Sequence, residues 1–323
     1  MSRKAPSGVE LAAGLRDRDV SVAPAVANLL EDRSRRAEAR QLVVALSPRA
    51  LGGEAPGHIV GVTGPPGVGK STLLGALVAD WLEAERTVAV LAVDPSSKVS
   101  GGALLGDRIR IAGTTTGGPR RFIRSMAARE RIGGLAPATR AAAQVLAVAF
   151  DVVVVETVGV GQSETDIADL ADTVVVVVQP GAGDSLQFLK AGVMEVPDLL
   201  VVAKADMGAT AQATLGDAKA ALHLLGADET VAMAVSALPP ASGIDELVDA
   251  LEAHRAGLDI GERRLQSRRR GALADFISEY GERGLRAVGG RRSAERSLIA
   301  QSPDLDGQSL VESLARAGGL ERD

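Results

Sequence analysis

The sequence predicts an α/β fold: a mostly parallel central sheet with helices on both faces, three layers in all. Three observations carry this. Between residues 58 and 256, short Val-rich runs alternate with longer stretches of helical periodicity, the pattern of strand–helix–strand units. Hydrophobic residues make up 46% of the chain and aromatics only 2%, so the core must be Val, Leu and Ala, as in parallel sheets covered on both sides. The stretch Gly64-Pro65-Pro66-Gly67-Val68-Gly69-Lys70-Ser71-Thr72 matches G-x-x-x-x-G-K-[ST], a phosphate-binding loop that belongs between a strand and a helix.

Residues 1–55 read as a helical, peripheral extension. Leu11 and Leu15, then Val22, Val26, Leu29 and Leu30, space like amphipathic helices, Arg33 to Arg40 make a charged helical surface, and 52–57 is a Gly/Pro linker. The core segment 56–256 follows. His58–Thr63 is the first strand, and Leu73, Leu74, Leu77, Val78, Trp81 and Leu82 recur at helical spacing after the glycine loop. Further strands are expected at 88–93, 152–155, 174–178, 199–203 and 231–235. Residues 257–323 change texture: 262–292 hold nine arginines against four acids. Leu273, Phe276, Ile277 and Tyr280 form one helical stripe, which this tail looks too small and too exposed to bury against itself. An unburied stripe marks an interface, so the tail is expected to pack on the preceding domain or on a second copy, as a dimerisation arm.

Composition removes several classes of function. The chain has no cysteine and three scattered histidines, which excludes disulfides, thiolate metal sites and a cysteine nucleophile. The net charge of −5 gives no general attraction to nucleic acid, and the arginine-rich tail lacks the interleaved aromatics of an RNA-binding motif. No apolar run reaches membrane-spanning length and no apolar segment follows Arg3-Lys4, so a soluble, cytoplasmic protein without membrane contact is expected.

The chemistry-bearing residues fall at strand ends, where ligands bind in such sheets. Gly64, Gly67 and Gly69 let backbone N–H groups turn inward onto phosphate oxygens. Lys70 supplies a point charge for the β- and γ-phosphates, and Ser71 a hydroxyl for Mg²⁺. Asp94 closes the second strand and Asp107 follows in Gly101–Arg108; both are candidate metal acids. Glu156, Thr157, Val158 and Gly159 resemble the D-x-x-G element of GTPases with Glu for Asp, a substitution that Mg²⁺ tolerates because it accepts one or two carboxylates. Gly159 would offer its N–H to the γ-phosphate, and Gln162 is placed to orient a water. Lys190 lies beyond a second glycine-rich loop at 180–184. No arginine lies in the phosphate loop; Arg108 and Arg124 are the candidates that could approach it. Lys204 and Asp206, in Ala203-Lys204-Ala205-Asp206, resemble the guanine motif N-K-x-D: a carboxylate accepts from both N1–H and the 2-amino group of guanine, and adenine has no such donor pair. Ser236-Ala237-Leu238 matches the S-A-x element, whose backbone reads the guanine carbonyl. GTP or GDP with Mg²⁺ is the expected ligand.

The series GVTGPPGVGKST, AVDPSS, GGALLGDR, VETVGVGQSE, QPGAGDSLQ and AKAD resembles the MeaB/ArgK family of methylmalonyl-CoA mutase-associated GTPases, over roughly residues 56–256. The resemblance implies a P-loop GTPase fold and a homodimer. It also implies a role as chaperone of an adenosylcobalamin-dependent acyl-CoA mutase, which it loads and protects and which in turn accelerates GTP hydrolysis. It implies metal positions at Ser71, Asp94, Asp107 and Glu156, a mutase-responsive loop at Gly181–Lys190 and a dimerisation arm in the C-terminal helices. Ala203 departs from the pattern, where Asn would contact the base and brace the phosphate loop. Two other readings compete. A nickel or cobalt metallochaperone GTPase would need Cys/His clusters, and a small-molecule kinase or transport-linked ATPase would need an acceptor pocket and a taste for ATP.

Overall fold

The computed structural model describes residues 5–94, 120–127, 135–157, 163–181 and 197–320. Among these, seven strands form one parallel sheet: β1 (His58–Thr63), β2 (Val88–Asp94), β3 (Arg121–Ala127), β4 (Val152–Thr157), β5 (Thr173–Val178), β6 (Leu199–Ala203) and β7 (Val231–Val235), in the order β3-β2-β4-β1-β5-β6-β7. Alternation along each strand divides its side chains between the two faces. Val153, Val155, Val174, Val176, Leu200 and Val202 enter one core, and Val152, Val154, Val175, Val177, Leu199 and Val201 the other. Both faces are therefore apolar, which is why these strands read as continuous Val runs.

The second core is closed by α5 (Lys70–Glu83), whose predicted stripe is buried at Leu73, Leu74, Leu77, Val78 and Trp81 and half-buried at Leu82, and by α9 (Ile244–Gly257) through Leu247 and Leu251. The first core overturns one expectation. The N-terminal helices α1 (Gly8–Arg16), α2 (Ala23–Glu31) and α3 (Arg36–Ala45), with the short α4 (Pro48–Leu51), are not peripheral: Leu11, Leu15, Val26, Leu29 and Leu42 are buried in the same cluster as Phe150, Val153 and Val155. With α6 (Pro137–Leu146), α7 (Ser163–Ala168) and α8 (Ala209–Leu224) they complete that side of the sandwich.

The tail also differs from expectation. Helices α10 (Ile260–Ala287, broken at Gly281 where φ is 59°), α11 (Arg291–Ile299) and α12 (Gly307–Ala317) do build a core of their own, from Leu273, Phe276, Leu298, Leu310 and Leu314. The stripe is thus covered within the chain: Leu273 and Phe276 are buried, and Ile277 and Tyr280 pack against them. Its first half is fastened to the sheet by arginines, as expected of a tail that packs on the preceding domain. Arg263 meets Asp198, Arg264 meets Asp172, Arg268 meets Glu54 and Arg270 meets Asp169. These arginines are neutralised at home and form no basic face.

Arg264 is the strongest of these ties. Its Nε and Nη2 donate to the two oxygens of Asp172 (2.8 and 2.6 Å), Nη1 donates to the Ala55 carbonyl and Nη2 also to that of Gly57 (2.6 Å each), while Asp172 accepts from the Ile59 N–H (2.8 Å). This knot holds the entries of β1 and β5 together, at the end of the sheet opposite the glycine loop. Beside it, His58 shares a hydrogen bond with Thr173 (2.8 Å), and burial pushes its pKa down to about 4, so it stays neutral near pH 7. No helix among the described residues is long and apolar enough to cross a membrane.

Candidate functional site

At the carboxyl end of the sheet, the chain leaves the central strand β1 through Gly64–Gly69 and enters α5 at Lys70. Two features explain the glycines. Gly64 has φ 144°, and a Cβ there would lie 2.1 Å from the Val177 carbonyl oxygen of β5, so no side chain fits; Gly67 and Gly69 are left-handed at φ 78° and 108°. Val68 is buried and anchors the loop in the core, while Pro66 and Gly67 are exposed and Pro65 half-buried. Lys70 is buried, and its Nζ donates to the carbonyls of Gly64 (2.6 Å) and Pro65 (2.9 Å), so the ammonium lies across the loop's own backbone.

The strand β4 lies directly beside β1 and pairs Glu156 with Val62. This brings a buried carboxylate to the first turn of α5, where Ser71 Oγ donates to Glu156 Oε1 at 3.2 Å. Behind them Thr157 Oγ1 donates to Thr63 Oγ1 at 3.1 Å and ties the two strand ends together. Thr72 is exposed. Hydroxyl and carboxylate are both hard oxygen donors of the kind Mg²⁺ takes, and the pair is suited to hold that ion together with phosphate oxygens and water. On the other side of Glu156, β2 pairs Ala92 with it and ends two residues later at Asp94. The Asp94 side chain, Asp107, Arg108, Gly159, Gln162 and Lys190 lie outside the described residues. Arg124 is described, and it pairs with Glu31 of α2 instead of approaching the loop.

The base-side motifs meet as well. Asp206 follows β6 and Ser236 follows β7, and Ser236 Oγ donates to Asp206 Oδ1 at 2.9 Å. Ser236 is buried and held by paired backbone hydrogen bonds with Ser242; Ala237 is half-buried, and Asp206 and Leu238 are exposed. One contact was not foreseen. Lys204, in a left-handed conformation (φ 57°), donates from Nζ to the Gly67 carbonyl (3.2 Å) and to Gln179 Oε1 (3.1 Å). With Ala203 in place of Asn, Lys204 itself braces the phosphate loop. Gln179, the first residue after β5, was missed; its place at a strand end was the available signal.

A cavity of about 590 Å³ lies elsewhere, between α2, α3, α6, α10 and α12, and no phosphate- or base-side residue lines it. Among the described residues no group of three or more His, Cys, Asp or Glu side chains could hold a metal.

Comparison with known proteins places this geometry. A family model described as methylmalonyl-CoA mutase-associated GTPase MeaB matches residues 23–283. A Pyrococcus abyssi protein with a GTPase name is 46% identical over 241 residues, 72% of each chain, and a Mycobacterium bovis one is 39% identical over 275 residues, 82% of this chain and 80% of that one. A Caenorhabditis elegans protein named methylmalonic aciduria type A homolog, mitochondrial, is 41% identical over 162 residues, 50% of this chain and 40% of that one. Among solved structures, one named LAO/AO transport system kinase has a TM-score of 0.65 at 26% identity and covers 96% of both chains. HypB from Helicobacter pylori in complex with nickel has a TM-score of 0.50 at 19% identity, covering 66% of this chain and 93% of that one, a likeness of fold.

Proposed function

The chain belongs to the MeaB family of methylmalonyl-CoA mutase-associated GTPases, and from that premise we propose that its GTP hydrolysis serves an adenosylcobalamin-dependent acyl-CoA mutase, methylmalonyl-CoA mutase being the first candidate. It would act as a chaperone that gates cofactor loading and protects the mutase. The observation that supports the nucleotide site is the convergence at one sheet end of a phosphate-side set (Lys70, Ser71, Glu156) and a base-side set (Lys204, Asp206, Ser236), joined through the Lys204 contact to Gly67.

In this reading the backbone of 64–72 cradles the phosphates and Lys70 leaves the loop carbonyls for the β- and γ-oxygens. Ser71 and Glu156 would hold Mg²⁺, with Asp94 and Asp107 as further acids. When bound, the ion neutralises charge developing on the phosphate oxygens. Asp206 accepts from the guanine edge, Lys204 lies along the base, and the backbone of Ser236, Ala237 and Leu238 faces the carbonyl. Gly159, Gln162 and Lys190 remain the candidates for binding the γ-phosphate, orienting water and answering the mutase. A cytoplasmic homodimer belongs to the same proposal. The stripe that pointed to a dimer is buried within the chain, so the dimer now rests on the family resemblance. A kinase reading is separable by labelled γ-phosphate: this account expects inorganic phosphate and no phosphorylated amino acid.

The two halves of the phosphate site are expected to separate by mutation. Lys70→Ala removes charge-assisted hydrogen bonds of ~1.5–3 kcal/mol and should weaken GTP by about one to two decades. Glu156→Ala should keep nucleotide binding in the absence of metal and lose Mg²⁺-dependent turnover. Titration with a fluorescent GTP analogue, with and without Mg²⁺, followed by phosphate release, checks both. Hydrolysis persisting in both variants would move the site elsewhere.

A further inference from the structure

The guanine motif N-K-x-D carries an Asn where this chain has Ala203, and the sheet register shows what stands beside the gap. Parallel β5 and β6 pair Val178 with Val202, so the next residues on the two strands are Gln179 and Ala203. Val175, Val177, Leu199, Val201 and Ala203 enter the core beneath α5, and alternation carries Gln179 to that same face. Position 203 faces the phosphate loop: a Cβ on Gly69 would lie 3.9 Å from Ala203 Cβ and 3.9 Å from Lys204 Cε. The alanine ends there, without an amide to reach the loop or the base.

Gln179 brings an amide to the neighbouring position. Its Oε1 accepts from Lys204 Nζ at 3.1 Å, while the same ammonium donates to the Gly67 carbonyl at 3.2 Å. The lysine tip is thus held from two elements, the phosphate loop and the end of β5. The amide itself has a fixed base. Val178 and Pro180 on either side of Gln179 are buried, and the Gly181 N–H donates to Thr214 Oγ1 of α8 at 3.2 Å, which in turn donates to the Thr210 carbonyl at 3.0 Å. A free lysine stem would have to be ordered when a nucleotide binds; one held at its tip is ordered in advance.

We propose that Gln179 is a positioning residue for the guanine nucleotide, standing in for the amide that Ala203 lacks. It tethers the tip of Lys204 beside the phosphate loop, so that the stem lies in place before the base arrives and the base and phosphate halves of the site keep their spacing. The inference rests on the reading that a guanine nucleotide lies along Lys204. Because Gln179 acts on the lysine and not on the guanine edge, it strengthens GTP and GDP alike and leaves the choice of base to Asp206.

The test is GTP and GDP affinity, with the thermal midpoint, for Gln179→Leu, Gln179→Ala, Lys204→Met, Gln179→Leu/Lys204→Met and Gln179→Leu/Ala203→Asn. Each single Gln179 variant should weaken both nucleotides by about tenfold, the worth of one charge-assisted hydrogen bond at the low end of its range, with the preference for GTP over ATP kept and the midpoint unchanged. In the Lys204→Met background Gln179→Leu should cost nothing further, because its effect runs through the lysine. Ala203→Asn should return most of the affinity that Gln179→Leu loses, a rescue that a merely structural glutamine would not allow. Wild-type affinity in both single Gln179 variants, a loss that only follows a lowered midpoint, an equal loss in the Lys204→Met background, or no recovery in the Ala203→Asn background would each overturn the proposal. If Lys204→Met itself bound GDP as tightly as wild type, the reading beneath the proposal would fall instead.

Discussion

Asp206→Asn should lower GTP affinity by about two to four decades, the larger figure being an upper bound, and should admit xanthosine triphosphate. The carboxylate accepts two hydrogen bonds from the guanine edge, each charge-assisted and worth ~1.5–3 kcal/mol. An amide keeps one acceptor and turns the other into a donor, which clashes with the guanine 2-amino group and matches the carbonyl that xanthine carries there. The fold should not suffer: Asp206 is exposed, and its bond from Ser236 Oγ at 2.9 Å can be accepted equally by the Asn oxygen. With Ala203 in place of the usual Asn, and with the backbone of Ser236, Ala237 and Leu238 facing a carbonyl that guanine and xanthine share, the choice between those two bases rests on Asp206, so the exchange should be close to complete. Competition binding with GTP, ATP and xanthosine triphosphate measures it. An Asp206→Asn protein that still prefers GTP would remove the guanine assignment.

The second large effect concerns stability. Arg264→Met should cost about 3–5 kcal/mol, the range for removing one partner of a buried ion pair. Asp172 is fully buried, and the guanidinium also satisfies the carbonyls of Ala55 and Gly57. Removing it strands a carboxylate and two carbonyl oxygens at the entries of β1 and β5. The pair itself is a different quantity from the cost of breaking it. Arg264→Met/Asp172→Asn, which removes the stranded charge, should recover part of the loss. Urea unfolding of the wild type and the two variants gives the comparison. A single variant within about 1 kcal/mol of wild type, the net worth of an exposed pair, would mean that water reaches this knot.

How much of this was legible depends on which forces act locally. The bounds of β1, β6 and β7 were readable to the residue: β1 and β6 are buried along their whole length, and β7, at one end of the sheet order and only partly buried, is still an unbroken apolar run between turn residues. The edge strand β3 was not read. It has β2 as its sole partner in the sheet order, and Arg121, Arg124 and Ser125 interrupt its apolar pattern, as charges commonly do on sheet edges. The glycine loop was legible because its backbone angles exclude side chains. The tail's stripe was visible, but that it is covered by Leu298, Leu310 and Leu314 depends on how three helices fold back on one another. The same holds for the contacts of Lys204 with Gly67 and Gln179. They join residues far apart in the chain and carry no local pattern.

The central claim is that a guanine-specific P-loop hydrolase works for an acyl-CoA mutase. Single-turnover hydrolysis of GTP, with and without an adenosylcobalamin-dependent acyl-CoA mutase from the same host, tests it most directly. The account predicts slow release alone, because no arginine lies within the phosphate loop and Arg124 is engaged by Glu31. It predicts a clear acceleration by the mutase, bounded above by the roughly 10³–10⁵-fold that a supplied cation achieves in well-studied GTPases, with ATP hydrolysed in neither case. A GTP rate that the mutase leaves unchanged, or ATP turned over as readily as GTP, would contradict it.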